Sequence, residues 1–402
     1  MITIGNPRIE HRGHKVRLVS DLTLEGGVTP LWIEVDERYG RFLCSERSDA
    51  FVLAILYWCV INGHDIRCQA PMTRRLYEQI FLQFMPAFGK MNNFSRCSKP
   101  RQGFAVAIDA PLADEVEHGD KVGSGCSCGV DSMHVYAVHE DVDVACLWNA
   151  HGITPNETDE KRAVGWGNLV RQAKAFSSRA EKELLIADTN FDRGCLPGLQ
   201  WDGMTPYGNM FFVFALQKLW SKFYIASGCD ATDIMLRTSL YADPAHYEFV
   251  LYPYCCLNGF RIEIDGVAQS RVDKCRDLAQ YPLSYEFLNV CHEIRDDGRN
   301  CSFRCAKCMR TMMDLDAAGV LDKYGKVFDV DRYYAHQEEV LAEYWRGLLQ
   351  GNSYIEEIRP YFSGRHWPLR SKLGAALILG RKSIKKAFRL GRVSSGAFSS
   401  RG

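Results

Sequence analysis

The spacing of apolar and polar positions divides this chain into three stretches. Up to about Pro111 it reads as a mixed α+β module. Runs from His14 to Leu22 and from Thr29 to Val35 predict strands, and Ser48 to Asn62 predicts a helix capped by Ser48 and stopped by Gly63. Ala50, Leu53, Ala54, Tyr57, Trp58 and Ile61 recur at helical spacing within an apolar run from Phe51 to Ile61, which predicts burial on more than one side. A second helix is expected over Met72 to Met85 and a short strand over Phe104 to Asp109.

From about Lys121 the pattern alternates between strand and helix. Asp131 to Val138 reads as a helix, Val142 to Trp148 as a buried strand, Glu160 to Ser178 as a helix and Glu183 to Asp188 as a strand. Asn209 to Ser221 and Lys222 to Ala226 repeat the pair. Such alternation predicts parallel βαβ units in an α/β, doubly wound, mostly parallel sheet of Rossmann-like type. Ligands of such sheets bind beyond the carboxyl ends of the strands. The loop at Ser127, the turns at Asn149 to Gly152 and after Asp188, and the Ser227-Gly228 turn are expected to converge there. Beyond Gly319 the chain is helical, with Val330 to Leu349 amphipathic. The expected domains are 1–111, 112–320 and a helical extension, 321–402.

With 402 residues, 47% of them hydrophobic, the chain can bury a large core, and its zero net charge argues against nucleic-acid binding by bulk charge. The start, Met1 to Pro7, has no basic leader and no apolar core, and no run is long enough to span a membrane, so a cytoplasmic protein is expected. The 16 cysteines then suit reduced thiols and a metal site better than a disulfide framework.

The stretch Gly123-Ser124-Gly125-Cys126-Ser127-Cys128-Gly129-Val130-Asp131-Ser132 has the small and hydroxyl residues of a loop that wraps an anion and opens a helix. It lacks the Gly-Lys-Ser/Thr of a Walker A loop and the third glycine of a dinucleotide fingerprint. Ser127 to Ser132 resembles the Ser-Gly-Gly-x-Asp-Ser signature of the PP-loop (N-type) ATP pyrophosphatases, which cleave ATP to AMP and pyrophosphate. Cys128 stands where that family has its first glycine, and a positive φ there would strain it. Tyr207-Gly208-Asn209, the helix through Ala215 to Leu219, and Tyr224 to Gly228 are similar to the 7-cyano-7-deazaguanine synthase-like branch, whose arginine in the Gly-Arg-Asn turn is missing here.

Cys291, Cys301, Cys305 and Cys308 are spaced C-x9-C-x3-C-x2-C around a polar turn, Asp296-Asp297-Gly298. Four thiolates suit a closed, structural Zn²⁺ site. An iron-sulfur cluster and simple buried thiols are the competing readings. The helix after Cys308 is similar to the Arg-bearing helix that follows the zinc cysteines in the deazaguanine synthases. Two departures are the extra residue between Cys301 and Cys305, which would bend one ligand out and bring in His292, and an arginine one position early, Arg310. Arg310 either faces the nucleotide or pairs with Asp314. Ser270, Arg271 and Lys274 open a helix where they either contact phosphate or form a solvated face.

The resemblance spans roughly residues 120 to 320. It implies a fold of the adenine nucleotide alpha hydrolase type and an enzyme with a structural Zn²⁺ that uses ATP and Mg²⁺ to adenylate a carboxylate or amide oxygen, with pyrophosphate leaving and a nitrogen or sulfur nucleophile completing the step. Ser127, Gly129, Val130, Asp131, Ser132, Asn149 and Arg310 would bind the nucleotide. Asp131, Ser132, Arg271 and Lys274 would act in catalysis, with Asp131 holding Mg²⁺. The acceptor is a small molecule or modified base. Alternatives are RNA sulfur transfer through Cys126 or Cys128, and a non-catalytic nucleotide-binding partner protein. The N-terminal module and the basic segment Leu369 to Arg392 are additions, either of which could meet a protein partner; the basic segment reads as an amphipathic helix for a membrane surface or RNA, or else as a frayed solvated tail. An oligomer is compatible with either, and Ser394 to Gly402 is expected to be disordered.

Overall fold

The computed structural model describes residues 1–86, 106–148, 159–191, 195–196, 201–228, 248–249, 251–291 and 300–380. The chain forms two compact units, Met1–Gln269 and Ser270–Gly402. Among the described residues no helix is long and apolar enough to cross a membrane.

The first unit is built on one mixed sheet. Its amino-terminal strands are β1 (Ile2–Ile4), β2 (Arg8–Arg12), β3 (Lys15–Leu24), β4 (Gly27–Asp36) and β5 (Ile66–Cys68). A two-stranded parallel pair, β6 (Met72–Thr73) with β8 (Leu112–Ala113), stands apart from it, whereas β7 (Ile108–Asp109) belongs to it. The α/β part supplies β9 (Lys121–Gly125), β10 (Val144–Trp148), β11 (Glu183–Thr189), β12 (Trp220–Ala226) and β13 (Arg261–Asp265). Described strands follow the order β13-β12-β9-β10-β11-β4-β3-β1-β5-β7, with β2 on β3. The run from β13 to β11 is parallel throughout. Strands β9, β10 and β11 step one way across the sheet while β12 and β13 step the other. The order therefore reverses between β9 and β12, where open α/β sheets leave a crevice at the carboxyl ends of their strands.

This architecture bears out an α/β fold with a large, mostly parallel sheet, but it groups the chain differently from the expected boundary near residue 111. Strand β4 pairs antiparallel with β11 through Ala187↔Val35 and Thr189↔Ile33. The helix α1 (Asp49–Asn62) packs on a helix of the α/β part, with Phe51 and Phe211 rings 5.5 Å apart and Tyr57 and Tyr207 rings 5.4 Å apart. One apolar cluster runs from Ile2 to Ile262. A shared sheet and a shared core join the described residues of both stretches into one unit. Gly63 ends α1 in the left-handed conformation as expected, but Ser48 does not cap it by its side chain; its hydroxyl donates to Ala70 O.

Other elements are shifted. The helix expected from Met72 starts after β6, as α2 (Arg74–Glu78), and continues as a π-helical stretch over Gln79–Phe84. Then come α3 (Val130–Val138), α4 (Asp159–Arg179) and α5 (Trp201–Ala215). Helix α5 begins well before Asn209 and runs through Pro206, because burial of Tyr207 and of Met210 to Phe214 outweighs the local turn signal. The helices of the second unit include α6 (Arg271–Leu278), α7 (Ala306–Ala317), α8 (Gln337–Leu349) and α9 (Ser353–Phe362). The expected helix Val330 to Leu349 breaks at His336 into Val330–Ala335 and α8. The cysteines, expected with the nucleotide domain, belong to this second unit, since the boundary lies at Gln269 and not at 320.

Candidate functional site

In the first unit the loop Cys126 to Gly129 leaves the carboxyl end of β9 at the reversal of strand order and enters α3. The small residues before it have another task. Gly123 to Gly125 are strand, and a Cβ on Gly123 would lie 2.7 Å from the Trp220 ring and 2.8 Å from that of Phe223. The loop proper is short and hydroxyl-lined. Ser127 Oγ lies 3.0 Å from Ser132 Oγ, the Gly129 N–H donates to Ser127 Oγ at 3.4 Å, and Ser132 Oγ–H donates to Gly129 O at 3.2 Å. Ser127 is exposed, whereas Cys126, Cys128 and Val130 are buried. Cys128 adopts φ 58, the left-handed backbone that favours the glycine of the resembling signature.

A thiol-based chemistry finds no support at Cys128. The neighbouring Cys126 thiol, together with burial, pushes the Cys128 thiol well above its ordinary value, the opposite of the lowering expected from a helix amino terminus.

One feature beside the loop escaped the sequence reading. His134 Nδ1, on α3, lies 2.6 Å from Asp265 Oδ2, and His139 Nε2, just past α3, lies 2.8 Å from Asp265 Oδ1. Asp265 ends β13, and its carbonyl accepts from the Ser227 N–H. Burial pushes the Asp265 carboxyl up, but the hydrogen bonds and charge of His134 and then His139 outweigh it and hold it below the usual carboxylate range. His139 also stacks on Tyr224, 4.0 Å between centroids. This cluster ties α3, and with it the loop, to the two strands on the far side of the reversal. The only sequence signal was a histidine one turn after Asp131; its partner is 131 positions away.

Of the other expected crevice residues, Asn149 and the turn to Gly152 lie outside the described residues. The turn after Asp188 is held by β4, with Thr189 Oγ1 donating to Trp32 O and the Trp32 N–H to Asn190 Oδ1.

In the second unit the four cysteines converge. The sulfurs of Cys291, Cys301, Cys305 and Cys308 all lie within 4.8 Å of one another. A tetrahedral site with metal–sulfur bonds of about 2.3 Å has sulfur–sulfur edges of roughly 3.8 Å, so a small contraction closes it around an ion. Backbone amides already face the sulfurs: Cys301 N–H to Cys291 Sγ at 3.4 Å, Cys305 N–H to Cys301 Sγ at 3.3 Å, and Cys308 N–H to Cys305 Sγ at 3.4 Å. Such donors favour thiolates, as the outer shell of a metal site does. Burial and the adjoining Cys291 and Cys305 thiols push the Cys301 thiol up to about 12, and a bound cation would favour its thiolate.

The extra residue between Cys301 and Cys305 does not bend a ligand out. Ser302 takes it up in a γ-turn, with φ 57 and the Phe303 N–H donating to Cys301 O at 2.7 Å. No substitute ligand is needed, and His292, like the turn Asp296 to Gly298, lies outside the described residues. Asn300 braces the site from behind: its Oδ1 accepts from the Val290 N–H, and its Nδ2 donates to Leu288 O and Val327 O.

The basic residues expected to meet phosphate also lie in this unit. Ser270 caps α6, its side chain accepting from the Asp273 N–H, as expected. Arg271 is buried with its Nε 3.1 Å from Asp314 Oδ2. Arg310 lies 3.8 Å over the Tyr354 ring, and Lys274, one turn after Arg271, is buried. Burial pushes the Asp314 carboxyl up to about 7 against the opposing charges of Arg271 and Arg310. The solvated face expected as the alternative for Arg271 and Lys274 is ruled out by their burial, and the partner expected for Arg310, Asp314, is instead bonded to Arg271. Compared with known proteins, the chain matches no family model, no curated protein and no solved structure.

Proposed function

We propose that this protein is an ATP pyrophosphatase of the PP-loop kind, which activates a carboxylate or amide oxygen as its adenylate and is stabilised by a structural zinc ion in its second unit. The observation that carries the reading is the position of Ser127 to Ser132: a hydroxyl-lined loop leaving the central strand at the reversal of strand order and opening a helix. That place combines free approach to backbone amides with a favourable helix dipole, which suits a polyanion.

In the proposed reaction the acceptor oxygen attacks the α-phosphorus of ATP, the bond to the bridging oxygen breaks, and its electron pair leaves on pyrophosphate; a nitrogen or sulfur nucleophile then attacks the activated carbon, and the carbon–oxygen bond breaks with its electron pair leaving on AMP. Charge grows on the leaving pyrophosphate, where the α3 amides and the Ser127 and Ser132 hydroxyls would meet it. Asp131 is the residue that would hold Mg²⁺, whose charge offsets that of the phosphates. Arg271 first neutralises Asp314, so the phosphate-binding part assigned to Arg271, Lys274 and Arg310 is not needed for this reading. The closed thiolate set gives zinc a folding role and no open coordination position.

The test is to supply Mg-ATP with panels of carboxylates and amides, together with ammonia or sulfide as nucleophile, and to measure AMP and pyrophosphate. Equal yields of both, lost in Asp131→Ala, support the reading; products unaffected by that substitution refute it. Cys128 favours a second reading, a nucleotide-binding protein without turnover, because a buried side chain occupies the signature's glycine position. Saturable ATP binding with neither product across the panel would select it.

A further inference from the structure

Residues 369–380 are helical, and the two sides of this helix differ sharply. Ser371 and Ala375 are buried at 3% and 0% exposure, and a Cβ on Gly374 would lie 2.8 Å from Glu338 Cβ, so this side rests closely on α8. Positions 369, 373 and 377 fall on the opposite side, half a turn away. There Leu369, Leu373 and Leu377 are 71%, 60% and 64% exposed. The packing against α8 fixes the leucines outward; they are not left over from a loosely held end.

Charge accompanies the stripe. Arg370 and Lys372 are exposed within the helix. The sequence continues with Arg381, Lys382, Lys385, Lys386, Arg389 and Arg392, and from Leu369 to Arg392 it contains no Asp or Glu, in a chain whose formal net charge is zero. Eight of the chain's 49 Lys and Arg residues thus fall in these 24 positions of the sequence with no acid to offset them, although the chain as a whole is balanced. We propose that this face docks on an anionic lipid bilayer, the leucines entering the interface and the basic residues meeting the headgroups. A nucleic acid would use the charge but gives three aliphatic side chains nothing to enter; a bilayer uses both. The inference does not depend on the ATP reading.

The experiment is flotation of the full chain with phosphatidylcholine vesicles, with and without phosphatidylglycerol. The variant is Leu373→Ser with Leu377→Ser, whose exposed positions leave the thermal melt unchanged. Wild type should float with the anionic vesicles only and detach at high salt, and the variant should bind about 100-fold more weakly. Three results would overturn the proposal: no flotation of wild type, equal flotation with neutral vesicles, or equal flotation of the variant. Tight binding of an RNA oligomer in the absence of flotation would assign the basic run to nucleic acid instead.

Discussion

A left-handed backbone at a residue bearing a Cβ costs about 1–2 kcal/mol, and Cys128 bears that cost at φ 58 while buried in the loop. Comparing Cys128→Gly with Cys128→Ala isolates it, because both remove the sulfur and only glycine relieves the backbone. The glycine variant should be the more stable by about 1 kcal/mol in urea unfolding; equal stabilities would mean that the loop is not strained. The substitution of Cys for Gly was visible in the sequence, and so was the condition under which it would matter. The positive φ was not, because a cysteine carries no local preference for it. Arg271 teaches the reverse. Its sequence position suited a phosphate ligand, yet burial beside Asp314 gives it a carboxylate to neutralise. Arg271→Ala should therefore cost about 1–3 kcal/mol of stability in the second unit, by removing the hydrogen bond to a buried carboxyl that only Arg310's charge then offsets and that can answer by binding a proton, a loss read by thermal unfolding that a purely ligand-binding arginine would not produce.

Elements are held here by groups distant in sequence. The knuckle from Cys291 to α7 was legible because cysteine spacing states its own chemistry; the Asn300 brace was not, since it depends on Val290, Leu288 and Val327 being near, and the Ser302 γ-turn was not, since a serine carries no local preference for a positive φ. The protein should carry about one zinc per chain. Cys308→Ser should abolish it and lower the melting temperature, while Cys275→Ser, a buried thiol outside the cluster, should retain it; metal analysis decides. Helix α3 is anchored by His134 and His139 on Asp265. The folded carboxyl of Asp265 is held below its unfolded value of 3.8, so its contribution is present above that value and lost as pH falls through the lowered one. Asp314 has the opposite sign. Its folded carboxyl is raised from 3.8 to about 7, so protonated Asp314 favours the folded state at low pH and that advantage is lost as pH rises from about 4 to 7. Over this window Asp314→Asn should flatten the fall in the second unit's melting temperature relative to wild type; an unchanged slope would contradict the raised value.

At the scale of the molecule, strands and helices from Asp131 to Ala226 were legible because the hydrophobic period switches between strand and helix there; the strand order was not, since such alternation predicts parallel crossovers without fixing which strands are neighbours. What the chain pattern hid was the antiparallel join of β4 to β11 and the packing of α1 on α5, which merge the first 111 residues with the α/β part. Periodicity reports which face of an element is apolar but not which distant element covers it. The turn from strand to helix at Ser127 was legible, being local, although Gly123 to Gly125, read as part of it, belong to the strand; its anchor at Asp265 was missed, being non-local. The account stands or falls on whether that loop receives the phosphates of ATP. The most direct measurement is titration calorimetry of Mg-ATP into the full chain and into Ser132→Ala. One saturable site per chain, weakened about tenfold by loss of a hydroxyl that donates toward phosphate, is the predicted result. Absence of binding, or binding untouched by the substitution, would contradict it.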